Sequence, residues 1–340
     1  MDKPTIAFVD HSFHRRTHSS DFMRTLLAEA FEVHEYWDES WQGGLRVPVE
    51  TINSNEYAFF MQVMSPMSDL EGITVPILWA PMYDGTKFNY AHWKALSYFN
   101  IKILAFSRKI ATWVTKFGMP VLSVQYLYLQ PKKSVLAPGN HIFFWYRGGI
   151  SFDDLRDKLN PEQVDSFSIV VSPDAQRVMP TILPEDIARY KLKIIDDGFL
   201  AKEKYFDLLA QSTIFIAPRK KEGIGAFTEA LALGKCVIAY DEGTHNEYIT
   251  HNIDGLLFTE TSKEIDLSRT HQLADAAFKR ASDTYAQWLV DKKRIVPFIL
   301  EPYRLQRSVL LRRFWIIADK AEVFLRKTKF RINKVVRKCI

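Results

Sequence analysis

The chain has 340 residues, 47 % of them apolar and 25 % charged, the proportions of a globular protein long enough for two α/β domains with separate cores. Its cysteines are Cys236 and Cys339, too few for a disulfide framework and suited to a reducing compartment. The net charge of +5 is unevenly held: twelve lysines or arginines against Asp319 and Glu322 give residues 303–340 a charge of +10 and leave −5 for residues 1–302, which argues against a body that binds nucleic acid.

Thr5–Asp10 reads as a first buried strand. The loop His11–Ser20 follows, then a helix with Phe22, Leu26, Leu27 and Ala30 at helical spacing and Ser19 or Ser20 as its N-cap. Further strands are expected at Phe31–Trp37, Tyr57–Gln62, Val75–Ala80, Lys102–Phe106 and Val121–Tyr126, with helix-like stretches between several of them. That alternation predicts a parallel, doubly wound sheet for residues 1–130. The polar, turn-rich run Pro131–Gly139 suits a linker over 131–139. A second alternating series fills 140–265, with strands at His141–Tyr146, Ser166–Ser172, Lys191–Ile195, Thr213–Ala217, Cys236–Ala239 and Leu256–Phe258. From Asp266 the pattern is helical. A helix at Thr270–Val290 lies in a crossover segment, 266–302, that returns to the first domain, and 303–340 is a basic amphipathic tail. The first ten residues carry no signal-like pattern and no apolar run has bilayer length, so a cytoplasmic protein is expected.

The stretch Ile214–Phe258 carries the chemistry. A buried-type strand ends at Pro218 and is followed by Arg219, Lys220, Lys221, Glu222, Gly223, Ile224 and Gly225, then a short helix from about Ala226 to Leu233. Two glycines let backbone approach a ligand, a helix start offers unused N–H groups and a positive dipole end, and three cations add charge. This is a cradle for a diphosphate. Glu229 lies one turn into the helix, while Phe227, Ala230, Leu231 and Gly234 share a face that packs on the sheet. Its carboxylate is left to accept two hydroxyl hydrogen bonds, as from a ribose diol. The lack of a third glycine at the required spacing argues against a dinucleotide loop.

The residues Glu222–Gly225, Phe227–Ala239, Asn246–Ile249 and Asp254–Leu257 resemble the donor half of the GT-B glycosyltransferases, specifically the retaining family-four group, also called glycosyl transferases group 1. The resemblance is close over residues 190–260 and architectural elsewhere. It implies two Rossmann-like halves facing across a cleft, an acceptor-side domain 1–130 and a nucleotide-sugar domain 140–265. It implies Glu222 at the donor sugar and Glu229 at the ribose, although six residues separate them where the family has seven. Lys221 takes the first acidic position if the gap falls elsewhere. Arg147 stands where the family has an arginine for the donor phosphate; the nearest residues to its partner lysine are Arg156 and Lys158. Tyr83 and Asp84 stand where related enzymes carry a His-Asp-like pair facing the donor sugar, with tyrosine in place of the histidine; they either orient the sugar or the acceptor hydroxyl or form a plain strand-ending turn.

Other groups have two readings each. Asn246 and Glu247 either close the donor pocket or serve the local helix, and Phe106–Lys109 supplies cleft cations or simply starts a helix. His11, His14 and His18 touch acceptor or diphosphate in preference to a metal, since no carboxylate or cysteine completes a ligand set. The tail, with Leu305, Val309, Leu310, Phe314, Trp315 and Ile317 among arginines, suits an anionic membrane surface in preference to nucleic acid or to a solvated helix packed on the body. The resulting expectation is a metal-independent, retaining, hexosyltransferase-like enzyme, peripheral on the cytoplasmic face of the membrane. It uses no cofactor beyond a nucleotide diphosphate sugar as co-substrate, and builds a surface polysaccharide, lipopolysaccharide or glycolipid from a glycan or lipid-linked acceptor. The alternative is a membrane-tethered binding subunit that has lost catalysis.

Overall fold

The structure, a computed structural model, describes residues 2–62, 64–135, 138–172, 180–198, 200–220, 225–303, 309–322 and 324. Contacts divide the chain into two compact units. The first comprises residues up to 81, 85–123 and the chain from Lys293 onward; the second comprises 82–84 and 124–292.

The first unit is built on six parallel strands: β1 (Thr5–His11), β2 (Glu32–Asp38), β3 (Tyr57–Met61), β4 (Ile77–Ala80), β5 (Ile101–Ala105) and β6 (Val121–Ser123), in the order β2-β1-β3-β4-β5-β6. Strands β4 and β5 are buried along their whole length, as parallel strands covered on both faces must be. The second unit repeats the plan with β7 (His141–Tyr146), β8 (Ser166–Val171), β9 (Leu192–Ile195), β10 (Ile214–Ile216), β11 (Cys236–Tyr240) and β12 (Leu256–Phe258), in the order β12-β11-β10-β7-β8-β9. Strand order reverses between β7 and β10. That is the topological switch point, where open α/β sheets leave a crevice at the strands' carboxyl ends.

All twelve expected strands form, with ends shifted by a few residues. Three connections differ. The expected loop His11–Ser20 contains a helix, Ser12–Thr17, closed by His18 in the left-handed conformation. Ser20 occupies the N-cap position of the next helix, Asp21–Ala28, without a side-chain cap bond. The strand expected to reach Tyr126 stops at Ser123 because the chain passes to the second unit at Val124; the Tyr126 amide donates instead to the Tyr248 hydroxyl at 2.8 Å.

The described part of 131–139 is no free linker. The Lys132 and Ser134 amides donate to the carbonyls of Ala232 and Leu233, at 2.9 and 3.3 Å, and so satisfy acceptors that the end of the helix Gly225–Ala232 leaves open. The long helix Thr270–Asp291 packs within the second unit, on that helix and on β11. The chain rejoins the first unit only at Lys293, with the helix Ile295–Leu300.

Candidate functional site

The second unit places the expected donor residues that the structure describes after the carboxyl ends of β7 and β10. Phe144 in β7 is in register with Ile216 in β10, so the loops that follow lie side by side. The Ile150 amide donates to the Pro218 carbonyl at 3.1 Å. A Cβ on Gly149 would stand 2.6 Å from Arg219 Cγ, so only glycine lets these two loops meet. Arg147 follows β7 and lies over the Trp145 ring at 4.8 Å. Arg219 and Lys220 follow β10. Three cations therefore converge on the switch point.

Each is oriented by a named partner. Arg219 lies 3.7 Å from Asp84. Lys220 pairs with Glu260 at 2.8 Å and lies over the Tyr240 ring at 5.2 Å. The hydrogen bond to Glu260 raises the lysine's pKa and lowers that of the carboxylate. The helix Gly225–Ala232 begins beside them, and among the described residues a Cβ on Gly225 would meet nothing within 4 Å. Ala226, Phe227, Thr228, Ala230, Leu231 and Ala232 are all buried, which leaves Gly225 and Glu229 as the part-exposed residues of this apolar helix.

The Glu229 carboxylate accepts a hydrogen bond from the Tyr128 hydroxyl at 3.0 Å. Burial pushes its pKa up to about 7, against the downward pull of the Tyr128 bond and the Lys202 charge. Close to neutrality the group is therefore shared between acid and carboxylate. Tyr83 donates to Glu242 at 3.1 Å, and burial, then this bond, raises its pKa. Gly243, at φ +62°, sits against the Tyr83 ring, where a Cβ would come within 2.7 Å.

Residues 190–271 match the family described as glycosyl transferases group 1. No curated protein matches the chain. Among solved structures, the chain is similar to Anabaena HepE crystallised with UDP-glucose (TM-score 0.57, 15 % identity, 86 % of this chain and 98 % of that one). It is also similar to sucrose-phosphate synthase from Thermosynechococcus elongatus (0.58, 11 %, 87 % and 98 %) and to a glycosyltransferase from Rickettsia africae (0.55, 13 %, 88 % and 98 %). This chain has the GT-B fold, and its residues 190–271 match the glycosyl transferases group 1.

Of the residues expected in the site of this GT-B chain, Arg147, Arg219, Lys220, Gly225, Glu229, Tyr83 and Asp84 all belong to the second unit, where Arg219 meets Asp84. Lys221, Glu222 and Gly223 lie outside the described residues. Arg156 is committed elsewhere: its guanidinium binds Asp186 at 2.7 Å and Asp153 at 2.6 Å. Glu247 is buried within the short helix His245–Tyr248, and the Asn246 amide donates to Asp241 at 3.0 Å. Residues 106–109 lead into the helix Arg108–Thr115. His14 binds the buried Asp10 at 2.9 Å, and among the described residues no group of three metal-ligating side chains comes together.

Sequence reasoning missed Tyr128, Lys202 and Glu242. Tyr128 was read as following a first-domain strand, and only the early passage at Val124 brings it to Glu229. Glu242 carries a signal in hindsight, since it follows the expected strand Cys236–Ala239 and precedes a glycine.

Proposed function

We propose that the chain is a retaining glycosyltransferase. It takes a nucleotide diphosphate sugar in its second unit and moves the sugar to a hydroxyl acceptor, in the synthesis of a surface polysaccharide, lipopolysaccharide or glycolipid. One observation carries the reading: Arg147, Arg219, Lys220 and the start of the helix Gly225–Ala232 follow the carboxyl ends of β7 and β10 at their switch point, with Glu229 one turn further on. The UDP and UDP-glucose in the Anabaena HepE structures support a sugar nucleotide as donor.

In sugar transfer the bond between the anomeric carbon and the diphosphate breaks, and the electron pair leaves with the diphosphate. Cations and helix amides already in place stabilise that charge without solvent reorganisation. Arg219, held by Asp84, and Arg147 are assigned to the phosphates, so that no metal is required. Glu229 grips the ribose once the diol displaces the Tyr128 hydroxyl. Glu222, Tyr83 and Asp84 are assigned to the donor sugar on the family resemblance. A phosphate oxygen of the leaving group takes the acceptor proton, and the new glycosidic bond forms on the face that the diphosphate left. We place the enzyme on the cytoplasmic face of an anionic membrane, tethered by its basic residues 303–340.

Release of nucleoside diphosphate from a panel of sugar nucleotides, with EDTA or with a divalent cation, tests this. Slow hydrolysis of one donor, unchanged by EDTA and lost in Arg219→Ala, is expected. Saturable donor binding with no turnover, even with candidate acceptors, would instead favour a binding subunit.

A further inference from the structure

The described tail is not a loose arm. Residues 309–322 form a helix that lies on the first unit along one side. Arg312 pairs with Glu71 at 3.6 Å and lies over the Phe99 ring at 5.3 Å. Trp315 meets Tyr90 edge-on at 5.8 Å, and Asp319 binds His92 at 3.3 Å. These positions recur at helical spacing and define the inward side.

The opposite side is apolar and exposed. Leu310, Phe314, Ile317 and Phe324, spaced four, three and seven apart, fall on one stripe, with exposures of 77, 59, 66 and 69 %. Scattered exposed apolar residues need no explanation, but an aligned stripe on a helix whose other side is already packed does. Arg313 and Lys320 are exposed along its edge, while Asp319 is turned inward on His92. Next to Trp315 the first unit adds an aromatic rim. Tyr90 and Phe88 are exposed, Tyr90 meets Phe117 at a tilt with ring centres 5.1 Å apart, Phe88 meets Trp113 at 5.6 Å, and Lys116 lies over Trp113 at 4.9 Å. Rings with one apolar and one wet side, set among cations, suit the headgroup layer of a bilayer.

We infer that the outer face of the helix 309–322, with the aromatic rim around Tyr90, is a lipid-contact surface that lies flat in the interface of an anionic membrane. This rests on the membrane-surface reading above and adds to it the face that makes contact. The occupant is argued from charge: the stripe is edged by Arg313 and Lys320 and is followed in sequence by seven lysines or arginines from Arg326 to Lys338, which an anionic lipid surface complements. No helix among the described residues is long and apolar enough to cross a membrane, which agrees with a helix that lies in the interface. The helix is held by the folded unit, so its apolar side chains enter the bilayer in a fixed orientation of that unit.

Co-sedimentation of the full chain with vesicles of phosphatidylcholine alone, or mixed with phosphatidylglycerol, tests the assignment. The wild type should bind the anionic vesicles. The double variant Phe314→Ser with Ile317→Ser should bind them at least about tenfold more weakly, with an unchanged thermal midpoint because both side chains are exposed. Wild-type affinity in that variant would overturn the inference. If affinity were instead lost only on replacing Arg326, Lys327, Lys329 and Arg331 by serine, the basic tether would stand and the apolar face would fail. Equal binding of the wild type to neutral vesicles would contradict the charge argument. A lipid-free dimer in sedimentation velocity that the double variant converts to monomer, with no vesicle binding by the wild type, would assign the stripe to a second copy of the chain and overturn the proposal.

Discussion

Glu229 shows how burial and a partner set the working range of one side chain. Its pKa is raised from 4.5 to about 7, so in that window the folded chain holds a proton that the unfolded chain has lost. Stability therefore falls as pH rises from about 4.5 to about 7 and levels off above, with a slope of at most about 1.4 kcal/mol per pH unit. Thermal melts of Glu229→Gln should lack that component. Donor affinity should move the other way, rising through pH 7 in the wild type as the carboxylate forms, and staying flat in Glu229→Gln; titration calorimetry at pH 6 and 8 distinguishes the two. Lys235, fully buried, is a second such residue. Burial draws its pKa down to about 8, while its ammonium donates to the carbonyls of Ala210 and Ser212 at 2.8 and 2.6 Å. Lys102 treats the carbonyls of Phe298, Ile299 and Glu301 in the same way in the first unit. Lys235→Met should cost about 1–3 kcal/mol in denaturant unfolding, because buried carbonyls lose their donor. Neither lysine was legible in the sequence, where each reads as an ordinary residue at the edge of a strand. The partners are backbone atoms, which carry no sequence signature.

The helix Gly225–Ala232 and the loops around it are the elements on which function depends. Its apolar composition and the glycine before it were readable because helix period and turn chemistry are local properties. Its surroundings were not. The Tyr128 hydroxyl reaches Glu229 across 101 positions of sequence, and the run that supplies it was read as the end of a strand in the other domain. Two variants test the elements. Arg219→Ala should weaken donor binding about tenfold or more, the range of a charge-assisted hydrogen bond, while leaving the melting temperature close to that of the wild type. Gly243→Ala should destabilise by about 1–3 kcal/mol, since it puts a side chain at φ +62° and against the Tyr83 ring. Pairing it with Tyr83→Ala should recover the part due to the clash and leave the part due to backbone strain.

At the scale of the whole chain, twelve strands in two parallel sheets were legible because each strand is a short apolar run bounded by turn residues, a pattern that parallel burial imposes. The points where the chain changes unit, at Val124 and Lys293 and around the short stretch 82–84, were not, because a crossing leaves no local composition bias and the polar run 131–139 offers a false one. The basic tail was visible as charge, but its division into a packed and an exposed side emerges only from the contacts of Arg312, Trp315 and Asp319. The central claim is that the second unit holds a sugar nucleotide through Glu229 and the cations at the switch point. The most direct test is calorimetric titration of the wild type and of Glu229→Ala with the sugar nucleotide that most raises the thermal midpoint. Micromolar binding by the wild type, weakened at least about tenfold in a variant that still unfolds in one cooperative transition, is the predicted result. Equal affinity in both proteins would remove Glu229 from the donor site and contradict the account.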